Sequence, residues 1–580
     1  MTVSRSQTNR NSSSPWQRTL QRAGLATLGA LLLTAIAVAT GGCDATKPAP
    51  APTSPPAESS TADPETPAAV AAGAGEAPAE RASDQANQVG GAYAEAGSAP
   101  QSKKPFDPVA VNGPLFVEWP APEFALLITG LQQGYLEPCG CAGLENQKGG
   151  LARRHTLLKQ LAERTWPVVA LDAGGLVRRI GRQEEIKYQT TLEALRTLNY
   201  EAVGMGAADL ALPAENLLAA TGDLQDDQGQ SRFVSANVGL FGLENSTVPK
   251  FRVVTVGGVR IGITSVLGDT AAKQVGNQEI EVAPAAEALA RVVDELQKES
   301  DVRVLLVQAT LDEAKELVKQ FPIFDVAAVA AGEDEPPRTS VAVEGVKTQI
   351  VTLGHKGMYA AVLGYYGSAE PRWRYQRVPL DSRFGDAPEM KQLMAAYQEN
   401  LQALGLEGLG IRPVVHPRTG KGDHDRGKFA GAASCAECHP TAHGIWSRTA
   451  HAHATDSLVN KSVPPRQFDP ECLSCHVTGW KPQEYIPYES GFMSLEATPH
   501  LAGNSCENCH GPGAAHVAAE KARGAELNLS LRNQLRAELQ LTRATAKQLC
   551  EQCHDEDNSP EFEAKGFDHY WQKVEHKGKK

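Results

Sequence analysis

The sequence predicts an α/β sandwich followed by a mostly helical segment built around prosthetic groups, and three observations carry that reading. Between residues 106 and 402 short apolar runs alternate with helical stretches, the succession expected when strands and helices share one layered core. The last quarter of the chain holds four CxxCH motifs. From about Gly427 onward there are no strand-like runs and too few large apolar residues for an ordinary core. A length of 580 residues leaves room for more than one domain.

The elements follow in chain order. Residues 1–43 read as a signal peptide: Arg18 and Arg22 precede an apolar run from Leu25 to Val38 that is short for a membrane span. The run ends in Thr40-Gly41-Gly42-Cys43, which resembles a bacterial lipoprotein signal whose cysteine is lipidated after cleavage. Ordinary cleavage and an uncleaved anchor stay open, and each puts the remaining chain outside the cytoplasm. Residues 44–105 are rich in Ala, Pro, Glu, Gly and Ser, cannot bury enough surface to offset chain entropy, and are expected to form a disordered tether. The net charge of −12 argues against a nucleic-acid partner.

For residues 106–402 the predicted strands are Phe124–Thr129, Val168–Asp172, Phe233–Val238, Val259–Val266, Val302–Val307, Val326–Ala330 and Gln349–Leu353. The predicted helices include Leu151–Arg164, Glu185–Leu198, Ala285–Lys298 and Leu311–Phe321. Four blocks in this region stand in a telling order: Leu126–Cys141 (LLITGLQQGYLEPCGC), Gly149–Arg154 (GGLARR), Asp172–Gly175 (DAGG) and Gly204–Asp209 (GMGAAD). From Phe124 to Tyr366 the region resembles 5′-nucleotidase-type metallophosphoesterases, which implies a metallophosphoesterase-like α/β sandwich. The family's metal ligands are missing. Leu131 and Gln133 stand where it has Asp and His, Gly175 replaces a ligand Asp, and Ala207-Ala208 replace an Asn-His pair. A later His falls near Gln308 or Ala309, and the Gly-His-x-His block reads Gly332-Glu-Asp-Glu335. A two-metal phosphoryl site needs carboxylates and imidazoles at short range. Only Glu333, Glu335 and Asp209 remain for an ion, and a solvated rim is the plainer reading of those three.

Cys139 and Cys141 lie in the loop after the first strand, at the strand ends where α/β ligand sites form. Two cysteines one residue apart close only a strained ring, which makes them a candidate redox pair; an inert disulfide or a structural metal clip is the alternative. The region also resembles phosphoesterase-like proteins in which a selenocysteine can occur in this loop, which implies redox chemistry there. His155 reads as a surface or structural residue, His355 as a turn residue, and His416 and His424 as part of a linker spanning 403–427.

Residues 428–580 hold Cys435/Cys438/His439, Cys472/Cys475/His476, Cys506/Cys509/His510 and Cys550/Cys553/His554. In each motif two thiols can form thioethers with haem vinyl groups while the next histidine ligates the iron, so four covalently bound haem c groups are expected. The segment resembles the tetrahaem cytochrome c that accepts electrons from hydroxylamine oxidation in ammonia oxidisers, through Trp446–His453 (WSRTAHAH), Cys472–Gly479 (CLSCHVTG) and Cys506–Gly513 (CENCHGPG). Met493 is the single methionine here, so bis-histidine ligation is favoured over His/Met and low potentials follow. The resemblance implies His451, His516 and a C-terminal histidine as distal ligands. His569 and His576 are both available, and His576 is preferred. It also implies one five-coordinate iron, with the motif of His476 as the candidate.

The expected function is an extracytoplasmic, membrane-anchored multihaem cytochrome c, in the periplasm or at the cell surface, that exchanges electrons with redox partner proteins. The degenerate phosphoesterase scaffold would serve as a docking or thiol-redox module. A haem oxidoreductase acting on a small nitrogen compound and a metal-dependent phosphoesterase are the alternatives.

Overall fold

The computed structural model describes residues 106–138, 147–244, 246–385, 387–420, 424–555, 558–559 and 561–576. The signal peptide with Cys43, the tether at 44–105 and the Cys139–Cys141 pair lie outside the described residues. The described residues belong to one compact unit.

Among the described residues, twelve strands make up the first part: β1 Phe124–Thr129, β2 Val168–Asp172, β3 Tyr200–Val203, β4 Val238–Leu240, β5 Arg252–Val256, β6 Val259–Leu267, β7 Ile280–Val282, β8 Val302–Gln308, β9 Val326–Glu333, β10 Gln349–Gly354, β11 Tyr359–Tyr365 and β12 Trp373–Pro379. One sheet runs β12-β11-β1-β2-β3 and the other β10-β9-β8-β6-β5, with β4 and β7 paired separately. The central pairings β1–β2, β2–β3, β6–β8, β8–β9 and β9–β10 are parallel, and antiparallel β5 and β11–β12 close the edges. Parallel strands need both faces covered, and β1 shows how the sequence meets that need. Phe124, Leu126 and Ile128 point into the core between the two sheets, while Ala125 and Leu127 point into the outer helical layer. Helices Leu151–Glu163, Arg182–Thr197 and Pro388–Gly408 cover the first sheet; Ala285–Glu299 and Leu311–Gln320 cover the second. The result is a four-layer α/β sandwich.

One predicted strand moves. Phe233–Val238 is not a strand along its length: Val234 donates to Val203, Ser235 to Pro249 and Ala236 to Ser265, so its backbone bonds go to three different neighbours. Val238 then starts β4. Strands β5 and β12 carry no period-2 apolar signature because buried positions are taken by Arg252 and Arg377, which donate to the Ser231 and Pro336 carbonyls. Lone His155 lies 3.7 Å from Glu389, and His355 sits in a turn 3.2 Å from Asp334.

After the helix Pro388–Gly408 the chain pairs Val414 with Tyr488 and enters short helices and loops. The one β element there is a two-residue pairing of Trp480–Lys481 with Ile486–Pro487 among the described residues. Its apolar core consists of Phe429, Leu458, Leu473, Val477, Trp480, Phe492 and Leu501. His416 is seated against this core, with its ring 4.5 Å from Tyr488 and 5.8 Å from Phe429.

Candidate functional site

Each CxxCH motif is presented by a short helix, and three of these carry a clear start signal. Pro470–His476 opens with Asp469 accepting from the Glu471 N–H at 3.0 Å and with Pro470 in its first turn. Cys506–His510 opens with a capping box in which Ser505 and Asn508 satisfy each other's backbone N–H groups. Arg543–Cys550 is capped by Thr542, which accepts from Thr545 at 3.2 Å. In the first and fourth motifs the histidine N–H donates to the carbonyl of the first cysteine, Cys435 at 2.9 Å and Cys550 at 2.8 Å. One helical turn therefore puts both thiols and the imidazole on one side.

The motifs meet in pairs. The thiols of Cys435 and Cys506 lie close enough to influence each other, as do those of Cys475 and Cys553. Glu507 fastens the first pair: buried, it accepts from Ala430 at 2.8 Å, Gly431 at 2.7 Å and Gly513 at 2.7 Å. Burial raises its pKa against those three bonds. Glu507 lies between two motif cysteines and was not singled out from the sequence, because a charged residue inside CxxC gives no sign that its carboxylate turns inward.

The imidazoles are oriented by their Nδ1 atoms. That of His476 contacts the Ala454 carbonyl at 2.8 Å and Ser457 Oγ at 3.1 Å; those of His510 and His576 meet the Leu539 and Val574 carbonyls at 2.8 and 2.9 Å. A carbonyl can only accept, so Nδ1 carries the proton and Nε2 keeps the lone pair a metal needs. The rings of His451 and His554 lie 6.0 Å apart, and those of His510 and His576 lie 5.9 Å apart. Two imidazoles sharing one metal, each bonded at about 2 Å, have centroids roughly 6 Å apart. Burial, with His554 and His476 adding to it, pushes His451 down to about 4, which keeps it in the neutral, ligating form. His569 stacks edge-on against Tyr570 at 5.2 Å, while His516 lies 3.9 Å from Glu520 on the helix Ala514–Lys521. With accessible thiols, neighbouring imidazoles and a small apolar core, these residues fit covalently held haem.

The cleft of the α/β sandwich is filled differently. A Cβ at Gly175 would lie 2.7 Å from both Gln308 Nε2 and Leu131 Cδ2, so the position of the missing ligand is occupied by those side chains. Gln308 accepts from the Ala207 N–H at 3.1 Å. Asp209 is committed to three backbone N–H groups, those of Gly175, Val177 and Gly206, at 2.8–3.0 Å. Glu333 accepts from Thr352 at 2.7 Å, and Glu335 pairs with Arg377 at 2.9 Å. The three carboxylates left for an ion are thus engaged elsewhere, and no group of three or more metal-ligating side chains occurs among the described residues. Beneath the cleft, Arg154 from the GGLARR block is fully buried beside Gln132, 3.7 Å from Asp172, which accepts from Thr129 at 2.6 Å.

These observations define a c-type cytochrome segment joined to an α/β sandwich whose cleft carboxylates Asp209, Glu333 and Glu335 are engaged by neighbouring groups. Residues 434–511 match the family model described as cytochrome c554 and c-prime. Over 97 residues the chain is 34% identical to cytochrome c-554 of Nitrosomonas europaea, a match that covers 15% of this chain and 39% of that relative. The C-terminal segment is therefore cytochrome c554-like, and the chain spans well under two thirds of that relative's length. Among solved structures, the sulfate thiohydrolase SoxB of Thermus thermophilus matches with a TM-score of 0.40 and 13% identity over 49% of this chain and 62% of its own. A 5′-nucleotidase precursor, also from Thermus thermophilus, gives 0.40 and 18% over 50% and 60%. The calcineurin-like phosphoesterase YfkN of Bacillus subtilis gives 0.39 and 16% over 48% and 97%. At such values no reaction chemistry transfers to this chain, and its fold class stands on its own two sheets and their helices.

Proposed function

We propose that this chain is an extracytoplasmic electron carrier, anchored through a lipid on Cys43, that holds four haem c groups and exchanges electrons with redox partner proteins. The observation that carries the reading is the pairing of facing imidazoles about 6 Å apart beside CxxCH helices. Cys435, Cys438, Cys472, Cys475, Cys506, Cys509, Cys550 and Cys553 attach the groups, and His439, His476, His510 and His554 are the proximal ligands. His451 together with His554, and His576 together with His510, would hold iron, with His516 as a further distal ligand. Haem c supplies a one-electron iron centre when bound; the chain fixes its orientation and keeps the ligating imidazoles neutral. The thiol contacts between the first and third motifs, and between the second and fourth, bring attachment points together as short electron-transfer paths require.

The α/β sandwich acts in this reading as a docking module and not as a hydrolase, with Cys139 and Cys141 as its proposed thiol-redox pair. No helix of the described residues is long and apolar enough to cross a membrane. Intact-mass and peptide mapping of protein matured in a haem-attaching host tests the carrier reading. Thioether adducts on all eight motif cysteines are expected, and a chain matured there without them would overturn it. CO binding to the dithionite-reduced protein then reports whether the iron at His476 is open.

A further inference from the structure

The second CxxCH helix is the one that the α/β sandwich grips. Its first turn carries Glu471, with Asp469 as its cap, immediately before Cys472. Lys187, buried in the helix Arg182–Thr197, places its ammonium 2.7 Å from Glu471 and 3.6 Å from Glu184. Arg179 also pairs with Glu471, lies 3.0 Å from Glu184, and stacks 4.1 Å over the Tyr485 ring. Gln183 donates to Asp469 at 2.9 Å and to the Tyr397 hydroxyl at 2.9 Å, while Gln398 donates to the other Asp469 oxygen at 3.2 Å. Glu137 pairs with Arg466 on the same side.

A surface pair such as Lys159 with Glu389, where both side chains are about half exposed, contributes little. Here the Lys187 and Glu184 side chains are only 6% and 5% exposed, so their charges act through a poorly screened medium. Burial pushes the Lys187 ammonium down from its ordinary range, with Glu184 and Asp469 opposing that push. Tyr397 is pushed up by burial, with Asp469 adding to it, and Glu471 places this polar cluster one residue from Cys472. The third motif is held in another way, by Glu507 accepting from backbone N–H groups of its own part of the chain.

We propose that Lys187, held by Glu184 against Glu471, is a positioning residue through which the α/β sandwich sets the reduction potential of the group attached at Cys472 and Cys475. The inference rests on the electron-carrier reading. A nearby buried cation stabilises the reduced form and raises the potential, and an anion does the reverse.

The test is a spectroelectrochemical titration of the full haem-loaded chain, wild type beside Lys187→Met, Lys187→Arg and Glu471→Gln. One reduction wave should move to lower potential in Lys187→Met and to higher potential in Glu471→Gln, with the others in place, and Lys187→Arg should restore the wild-type position. Glu471 is 28% exposed, so its variant keeps the test open if Lys187→Met fails to fold. Waves that stay put in the loaded variants, or that all shift together, overturn the inference and leave the carrier reading standing. A wild-type chain without thioethers at Cys472 and Cys475 overturns both.

Discussion

The two parts of this molecule are stabilised in opposite ways. In the α/β sandwich aliphatic side chains fill three contiguous layers, with β1 buried at every position. The cytochrome-like part has a core of seven buried hydrophobic residues, and its motif helices are held by caps and single carboxylates. One part can fold on its own hydrophobic surface, because buried apolar area outweighs the entropy of ordering. The other has a small apolar core and, in the proposed reading, completes it with its prosthetic groups. In the cleft of the sandwich Gln308 and Leu131 fill the space beside Gly175. Fold and site are separable in the first part and inseparable in the second.

The largest effect should come from withholding haem. With the motif cysteines changed to serine, hydrogen exchange should rise throughout residues 428–576 to near the unfolded rate, while β1, β2, β6 and β8 stay protected. Protection that persists in the C-terminal part would break the comparison.

A smaller effect should come from Asp209, whose burial raises its pKa to about 6 against three backbone bonds. The folded state binds this proton more tightly than the unfolded chain. Its stabilising contribution is therefore complete below about 3.8 and lost as pH rises through about 6, on the order of 3 kcal/mol. Urea melts of wild type and Asp209→Asn across that window should differ by a slope that reports Asp209 alone. The variant also carries a constant loss of about 1–3 kcal/mol for the N–H left facing its amide.

The smallest sharpens the statement that the cleft is closed. Gly175→Asp restores the carboxylate type but puts a Cβ 2.7 Å from Gln308 and Leu131 at a φ of +77°. It should bind no metal by elemental analysis and lower stability by about 1–3 kcal/mol. Stoichiometric metal uptake by that variant would show a cleft that can reopen.

Much of this was legible in the sequence. Strands such as Phe124–Thr129 and Val168–Asp172 are found where their apolar runs lie, because parallel strands buried on both faces must be apolar throughout. The CxxCH motifs state their chemistry locally. Strands β5 and β12 were illegible because buried Arg252 and Arg377 interrupt their apolar pattern, and β11 was missed as well although it is buried at every position. Which imidazole faces which could not be read either: His451 and His554 are far apart in the chain, and their 6.0 Å separation is set by the path between them. The same holds for Lys187 against Glu471, a pairing across two differently built parts. Sequence by itself determined what each segment can do, since attachment and burial patterns are local. Only the tertiary structure decided which residues meet, because contacts between distant positions depend on packing that no local pattern encodes.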